Sequence, residues 1–259
     1  VTMKVKKVHE LGGAVKTIAY SPDGTTIAVG TGIKTIAVGG GCDKRIVILD
    51  SVELNFITDY ELEDFVNTVS FSSNGEYLVV GGGKNVRILR TSTLEVVTEY
   101  PHGCDVCAVA VSPDSQTITV GGDDGNVIRL GFSKSKGSKV PSLSVLNEHK
   151  GEARVCVIIF SPNGNYIAVG WDDKKVALLH SVTLEVVEVC QRDNWVGALA
   201  FSYDGKYVAV GEYGNVAIIN TSTWEVVKEY KRERWVYAVT FAPNSEIIAV
   251  GGSDITGND

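Results

Sequence analysis

The sequence predicts an all-β fold, a β-propeller of four-stranded antiparallel blades with about six repeats, and three observations carry that prediction. A short turn signature recurs as Ser21-Pro22-Asp23-Gly24, Ser72-Ser73-Asn74-Gly75, Ser112-Pro113-Asp114-Ser115, Ser161-Pro162-Asn163-Gly164, Ser202-Tyr203-Asp204-Gly205 and Ala242-Pro243-Asn244-Ser245. Six positions before each turn stands a Val (Val15, Val66, Val106, Val155, Val196, Val236), and nine positions after it a Gly (Gly30, Gly81, Gly121, Gly170, Gly211, Gly251). Between them lie short β-branched runs such as Ile167-Ala168-Val169, apolar on successive residues. Such runs need cover on both sheet faces, which a blade stacked between neighbours has and a sandwich with one wet face lacks.

Each unit reads as strand a (Val196 to Phe201), the Asp-Gly or Asn-Gly turn and strand b (Tyr207 to Val210), then a Gly-rich turn, strand c (Val216 to Ile219) and strand d (Glu225 to Tyr230). The turns are spaced by 51, 40, 49, 41 and 40 residues, and both long spacings have a visible cause. The first repeat holds a tandem copy, Thr26-Ile27-Ala28-Val29-Gly30 followed by Thr35-Ile36-Ala37-Val38-Gly39, nine residues on. The third holds a polar insertion from Gly131 to Ser142, rich in Lys, Ser and Gly, which reads as a surface loop.

Composition narrows the function classes. A chain of 259 residues, 44% hydrophobic, can bury a large core without metals or disulfides. A net charge of -7 weighs against a general nucleic-acid binder, which needs a basic stripe to neutralise phosphates. No apolar run is long enough for a transmembrane helix, and the start, Val1 to Val8, has no signal-peptide core, so no membrane partner is expected. Five Cys, an odd number, fit free thiols in a reducing compartment, and a cytoplasmic location is expected.

Motifs that carry chemistry elsewhere have simpler readings here. Gly39-Gly40-Gly41 and Gly81-Gly82-Gly83 fall at one repeat phase and read as b–c turns; Gly30 to Thr35 has no Gly before Lys34 and no helix after it, so it is no phosphate loop. Cys104-Asp105-Val106-Cys107, with His102 nearby, has no second Cys pair to complete a zinc site, and Cys42, Cys156 and Cys190 have no paired pattern. His residues sit in separate repeats, and no Ser-His-Asp or paired-carboxylate set stands out. No metal, cofactor or small-molecule substrate is expected.

The recurring turn and the spacing resemble the WD40 repeat family over nearly the whole chain. The repeats are degenerate: the Trp-Asp pair at the end of strand c reads Leu49-Asp50, Leu89-Arg90, Leu130-Gly131, Leu179-His180 and Ile219-Asn220. The resemblance also implies a His before strand a and an Asp in the b–c turn; His9, His102 and His149, and Asp43, Asp124 and Asp173, lie near those phases. It further implies one domain over 1–259, with an N-terminal strand at 3–8 completing a last blade that is itself incomplete at 233–259. That blade lacks a strand c, so either the ring is an irregular six or the natural chain runs on into a seventh blade; the second is preferred.

The position seven residues before each turn varies beside its constant Val: Ala14, Phe65, Asp105, Arg154, Trp195 and Trp235. In propellers the d–a and b–c loops emerge on one face, and the b–c loops add Trp171, Asp172, Glu212 and Tyr213. A partner-binding face of Phe65, Arg154, Trp171, Trp195, Tyr213 and Trp235 is therefore expected, with Arg192, Arg232 and Arg234 nearby to meet acidic groups. The competing reading has the aromatics plugging the channel or packing between blades. The expected function is a non-enzymatic scaffold that binds a partner protein or peptide. The alternatives are a propeller enzyme (a lactonase or dehydrogenase) with a channel-mouth site, or a structural subunit using the Lys134 to Lys139 loop.

Overall fold

The computed structural model describes residues 14–20, 26–32, 44–50, 56–133, 141–232, 235–242 and 247–253. The expected N-terminal strand at 3–8, the glycine run 39–41, the Lys134 to Lys139 loop and the tail beyond Ser253 lie outside the described residues, as do His9, Cys42, Asp43 and Arg234.

Every regular element among them is a strand, and the strands form repeated antiparallel sheets, the blades of a propeller. The first blade is β1 (Ala14–Tyr20), β2 (Thr26–Gly32), β3 (Arg45–Asp50) and β4 (Phe56–Glu61); the second is β5 (Thr68–Phe71), β6 (Tyr77–Gly82), β7 (Asn85–Arg90) and β8 (Val96–Pro101). The third is β9 (Val106–Val111), β10 (Thr117–Gly122), β11 (Val127–Ser133) and β12 (Ser142–His149), and the fourth β13 (Val155–Phe160), β14 (Tyr166–Trp171), β15 (Lys175–His180) and β16 (Val186–Gln191). The fifth is β17 (Val196–Phe201), β18 (Tyr207–Glu212), β19 (Asn215–Asn220) and β20 (Val226–Lys231). The sixth sheet pairs β21 (Trp235–Phe241) with β22 (Ile248–Ser253). Each four-stranded sheet is a simple meander in sequence order. β11 continues through Gly131 to Ser133, so the polar insertion begins later than its composition implies.

The chain gathers into two compact units, Val1–Val106 with Ser133–Leu143, and Cys107–Phe132 with Ser144–Asp259. In the first, β5 packs against β1; in the second, β10, β13, β17 and β21 pack in succession.

Burial falls from strand b to strand d. All six residues of β6 and of β10 are buried, whereas all six of β20 are exposed. The fully covered b strands are the physical content of the unbroken apolar runs.

The recurring turn is one hydrogen-bonded device. In the fifth blade the Ser202 hydroxyl donates to Asp204 Oδ1 (2.7 Å) and accepts the Tyr207 amide (2.9 Å), while Asp204 Oδ1 accepts the Lys206 amide (3.1 Å). The same set joins Ser72 with Asn74, Ser112 with Asp114 and Ser161 with Asn163. Its fourth residue is left-handed: Gly75, Gly164 and Gly205 have φ of 70°, 73° and 72°, and Ser115 is forced to 59°.

The constant Val and Gly are two halves of one contact. A Cβ on Gly121, Gly170 or Gly211 would stand 2.3, 2.7 or 2.5 Å from a Cγ1 of Val155, Val196 or Val236, the Val of the following blade. Each Val methyl fills the space that a Gly leaves, so neither can vary alone.

Candidate functional site

The second unit brings three of the expected residues into one aromatic group and adds a fourth. Trp195 and Trp235 stand at the starts of strands a, and Tyr213 in the b–c turn of the fifth blade. The ring centroids of Tyr213 and Trp235 are 4.9 Å apart at 59°, and those of Trp195 and Trp235 5.5 Å apart at 71°. Tyr237 lies parallel to Trp235 (8°, 6.1 Å) and edge-on to Trp195 (66°, 6.3 Å). Tyr213 is 38% and Tyr237 49% exposed, and the two indoles are half-buried. The contact of Tyr213 with Trp235, and the bond from Asn194 Nδ2 to the Tyr213 carbonyl (3.1 Å), bring b–c and d–a loops of this unit together.

Local backbone explains the arrangement. The residue after the constant Val sits where the a–b register slips, at Cys156, Gly197 and Tyr237. A bulge re-aims its side chain away from the ladder. Tyr237 is thereby turned toward the indoles. At Gly197 the missing side chain makes room for Trp195, whose Cζ3 would be 2.8 Å from an added Cβ. At Cys156 the sulfur accepts the Trp195 indole N–H (2.9 Å).

Beside the rings is a polar chain. Arg154 Nε meets Asp123 Oδ1 at 3.0 Å, and the Cys107 thiol donates to the same oxygen (3.1 Å). Burial first, then the Asp123 hydrogen bond, pushes Cys107 up to about 12; burial pushes Cys156 up to about 11. Both thiols are neutral at physiological pH, the opposite of what nucleophilic or redox use requires. In the first unit, Cys104 Sγ lies 3.2 Å from His102 Nδ1.

Other expected residues stand apart from the aromatic group. Trp171 is 6% exposed, packs in the core with Val155, Ile167 and Leu179, and donates its indole N–H to the Gly125 carbonyl (3.3 Å). Arg154 is exposed but already ion-paired. Phe65, in the first unit, is 44% exposed, and its carbonyl oxygen occupies the space over Gly82. Arg192, expected to meet an acidic partner, is buried: its Nη2 bonds Glu212 Oε1 (2.6 Å) and Glu229 Oε1 (2.7 Å). Burial alone would lower its pKa, but those bonds outweigh it and raise it further. Asn215 Nδ2 bonds both carboxylates and the Asn194 amide donates to Glu212 Oε2, so this network fixes the loop leading into Trp195.

The WD domain, G-beta repeat, matches by its family model over residues 56–89, 94–128 and 141–178. The chain carries WD40 repeats. Each matched WD40 segment runs from strand d of one blade to strand c of the next, so the sequence repeat is offset by one strand from the sheet. The fifth blade lies beyond the last matched segment yet keeps the turn hydrogen bonds, and its polar brace is Arg192, Glu212, Glu229 and Asn215. At the Trp-Asp position, Leu89, Leu130, Leu179 and Ile219 are fully buried, so in these four blades the apolar half of the WD40 signature survives while its acid is replaced by Arg90, Gly131, His180 and Asn220. WD40 repeats mark a protein-interaction kind of domain. No curated protein matches the chain significantly.

Tyr237, Gly197 and Cys156 were not singled out by sequence reasoning. The available signal is the position after the constant Val, which reads Lys16, Asn67, Cys107, Cys156, Gly197 and Tyr237. A position that varies from Gly to Tyr between two constant framework residues is a loop-like position inside a strand.

Proposed function

We propose that the chain is a non-enzymatic interaction scaffold that binds a partner protein or peptide through Trp195, Tyr213, Trp235 and Tyr237. The observation that carries this is the clustering of four rings from the fifth and sixth blades with two Tyr more than a third exposed. Aromatic side chains concentrate binding energy because they bury much area for few frozen torsions. Trp171 and Arg192 are left out of the surface because both are buried. The neutral thiols and the internally paired Arg192 speak for packing, not turnover. A cytoplasmic setting is proposed on the odd Cys count.

The test is cross-linking capture from cells with Trp235→Ala and, separately, Trp195→Ala, each compared with Phe65→Ala. The two Trp variants lose the captured protein with an unchanged melting curve, while Phe65→Ala keeps it. Capture that survives both Trp variants rejects the surface.

A further inference from the structure

We propose that the aromatic surface takes an arginine side chain of the partner, stacked on the ring faces at the Trp195 end with its guanidinium toward Asp172. This rests on the proposed binding role and names the chemistry it recognises. The face of an aromatic ring carries partial negative charge and attracts a cation. Here two rings lie parallel within 8° and Trp195 stands at 66° and 71° to them, so faces of different orientation are offered to one visitor.

The surrounding charges choose the sign. The Cys156 thiol that accepts the Trp195 N–H lies in the field of Arg154 first, then of Asp172 and Asp123, one cation against two acids. Asp123 is partnered by Arg154, whereas Asp172 is exposed and its amide, not its carboxylate, is what bonds the Arg154 carbonyl (3.0 Å). Among the described residues, Arg192 is buried against two glutamates and Arg154 is ion-paired with Asp123, so neither is open to a visiting anion. Exposed Arg232, whose amide bonds the Gly214 carbonyl, guards the Tyr213 end and directs a cation to the Trp195 end. An acidic group would meet Asp172 as a like charge. Arginine suits the site better than lysine, since its planar fork stacks on a ring while bonding a carboxylate through two N–H groups.

The test is an NMR titration of the whole chain, following the Trp195 and Trp235 indole N–H signals with capped pentapeptides at millimolar concentration. The peptides differ only at the centre, which is Arg, Lys, neutral citrulline or Glu. The Arg peptide shifts the Trp195 signal and binds roughly tenfold more tightly than the citrulline peptide, and Asp172→Asn removes most of that difference. Equal binding of Arg and citrulline, preference for Glu, or no shift with Arg overturns the inference. If capture from cells still depends on Trp195 and Trp235 while the peptides do not discriminate, only the cation falls; if capture ignores both Trp variants, the binding role falls with it.

Discussion

Single residues here are under backbone constraint as much as side-chain selection. The fourth turn position is left-handed in four blades, and Ser115 occupies it where three others have Gly. An L side chain there costs about 1–2 kcal/mol, partly offset by the greater unfolded freedom of Gly. Ser115→Gly therefore raises stability by about 1 kcal/mol, read as a higher urea midpoint at unchanged slope. A lower midpoint would mean that unfolded-chain entropy outweighs the strain. The c–d turns hold the same conformation at bulkier residues. Leu94, Leu184 and Trp224 have φ of 56°, 59° and 55°, yet each is at most 6% exposed, so core burial is what holds them there. Their shared setting, Thr93-Leu94-Glu95, Thr183-Leu184-Glu185 and Thr223-Trp224-Glu225, was present in the sequence and went unread because it mimics a strand start.

At the scale of elements, blades are joined by Val methyls seated over glycines. Gly170→Ala puts a Cβ 2.7 Å from Val196 Cγ1 and 3.0 Å from Val157 Cγ1, and costs about 1–3 kcal/mol by overpacking. Val196→Ala costs a similar amount by leaving a void. The double variant refills one with the other, so it is less destabilised than the sum by about 1 kcal/mol or more in a denaturation cycle. Additivity within about 0.5 kcal/mol would dissolve the pairing. This pairing is also why the fold was legible: the Gly of one repeat and the Val of the next recur in phase, as Gly170 with Val196 and Gly211 with Val236, because each fixes the other across blades. The site was only partly legible. Trp195, Tyr213 and Trp235 could be placed by repeat phase, because loops at one phase leave on one side. Burial could not be read that way, since Trp171 and Glu212 at one phase are both buried while Asp172 and Tyr213 at the next are exposed. Arg192 looked free because its partners, Glu212 and Glu229, lie 20 and 37 residues downstream.

Over the molecule as a whole, the shifted groups set a stability plateau bounded on both sides. Hydrogen bonding from Arg192 chiefly, opposed by burial and aided by Asn215, holds the Glu229 carboxyl below its ordinary 4.5. The Ser202 hydroxyl chiefly, then the Lys206 amide, holds Asp204 below 3.8. Depressed acids stabilise the fold fully above their unfolded values and lose that contribution as pH falls through the folded ones. The buried thiols act in the other sense. Cys107 near 12 and Cys156 near 11, against an ordinary 9.0, favour the fold below pH 9 and lose their contribution as pH rises toward those values, because an unfolded thiolate is the better solvated. The urea midpoint is therefore expected to be level between about pH 6.5 and pH 8 and to fall on either side, the first acid-side loss coming from His149, whose pKa burial lowers from its ordinary 6.5. Glu229→Gln removes one acid-side contribution and makes the fall below pH 4.5 shallower, while Cys107→Ser with Cys156→Ser does so above pH 9. Each arm answers to its own substitution. An acid limb unchanged by Glu229→Gln would mean that the Arg192 pairing survives unfolding, and an alkaline limb unchanged without the thiols would place that loss in other groups.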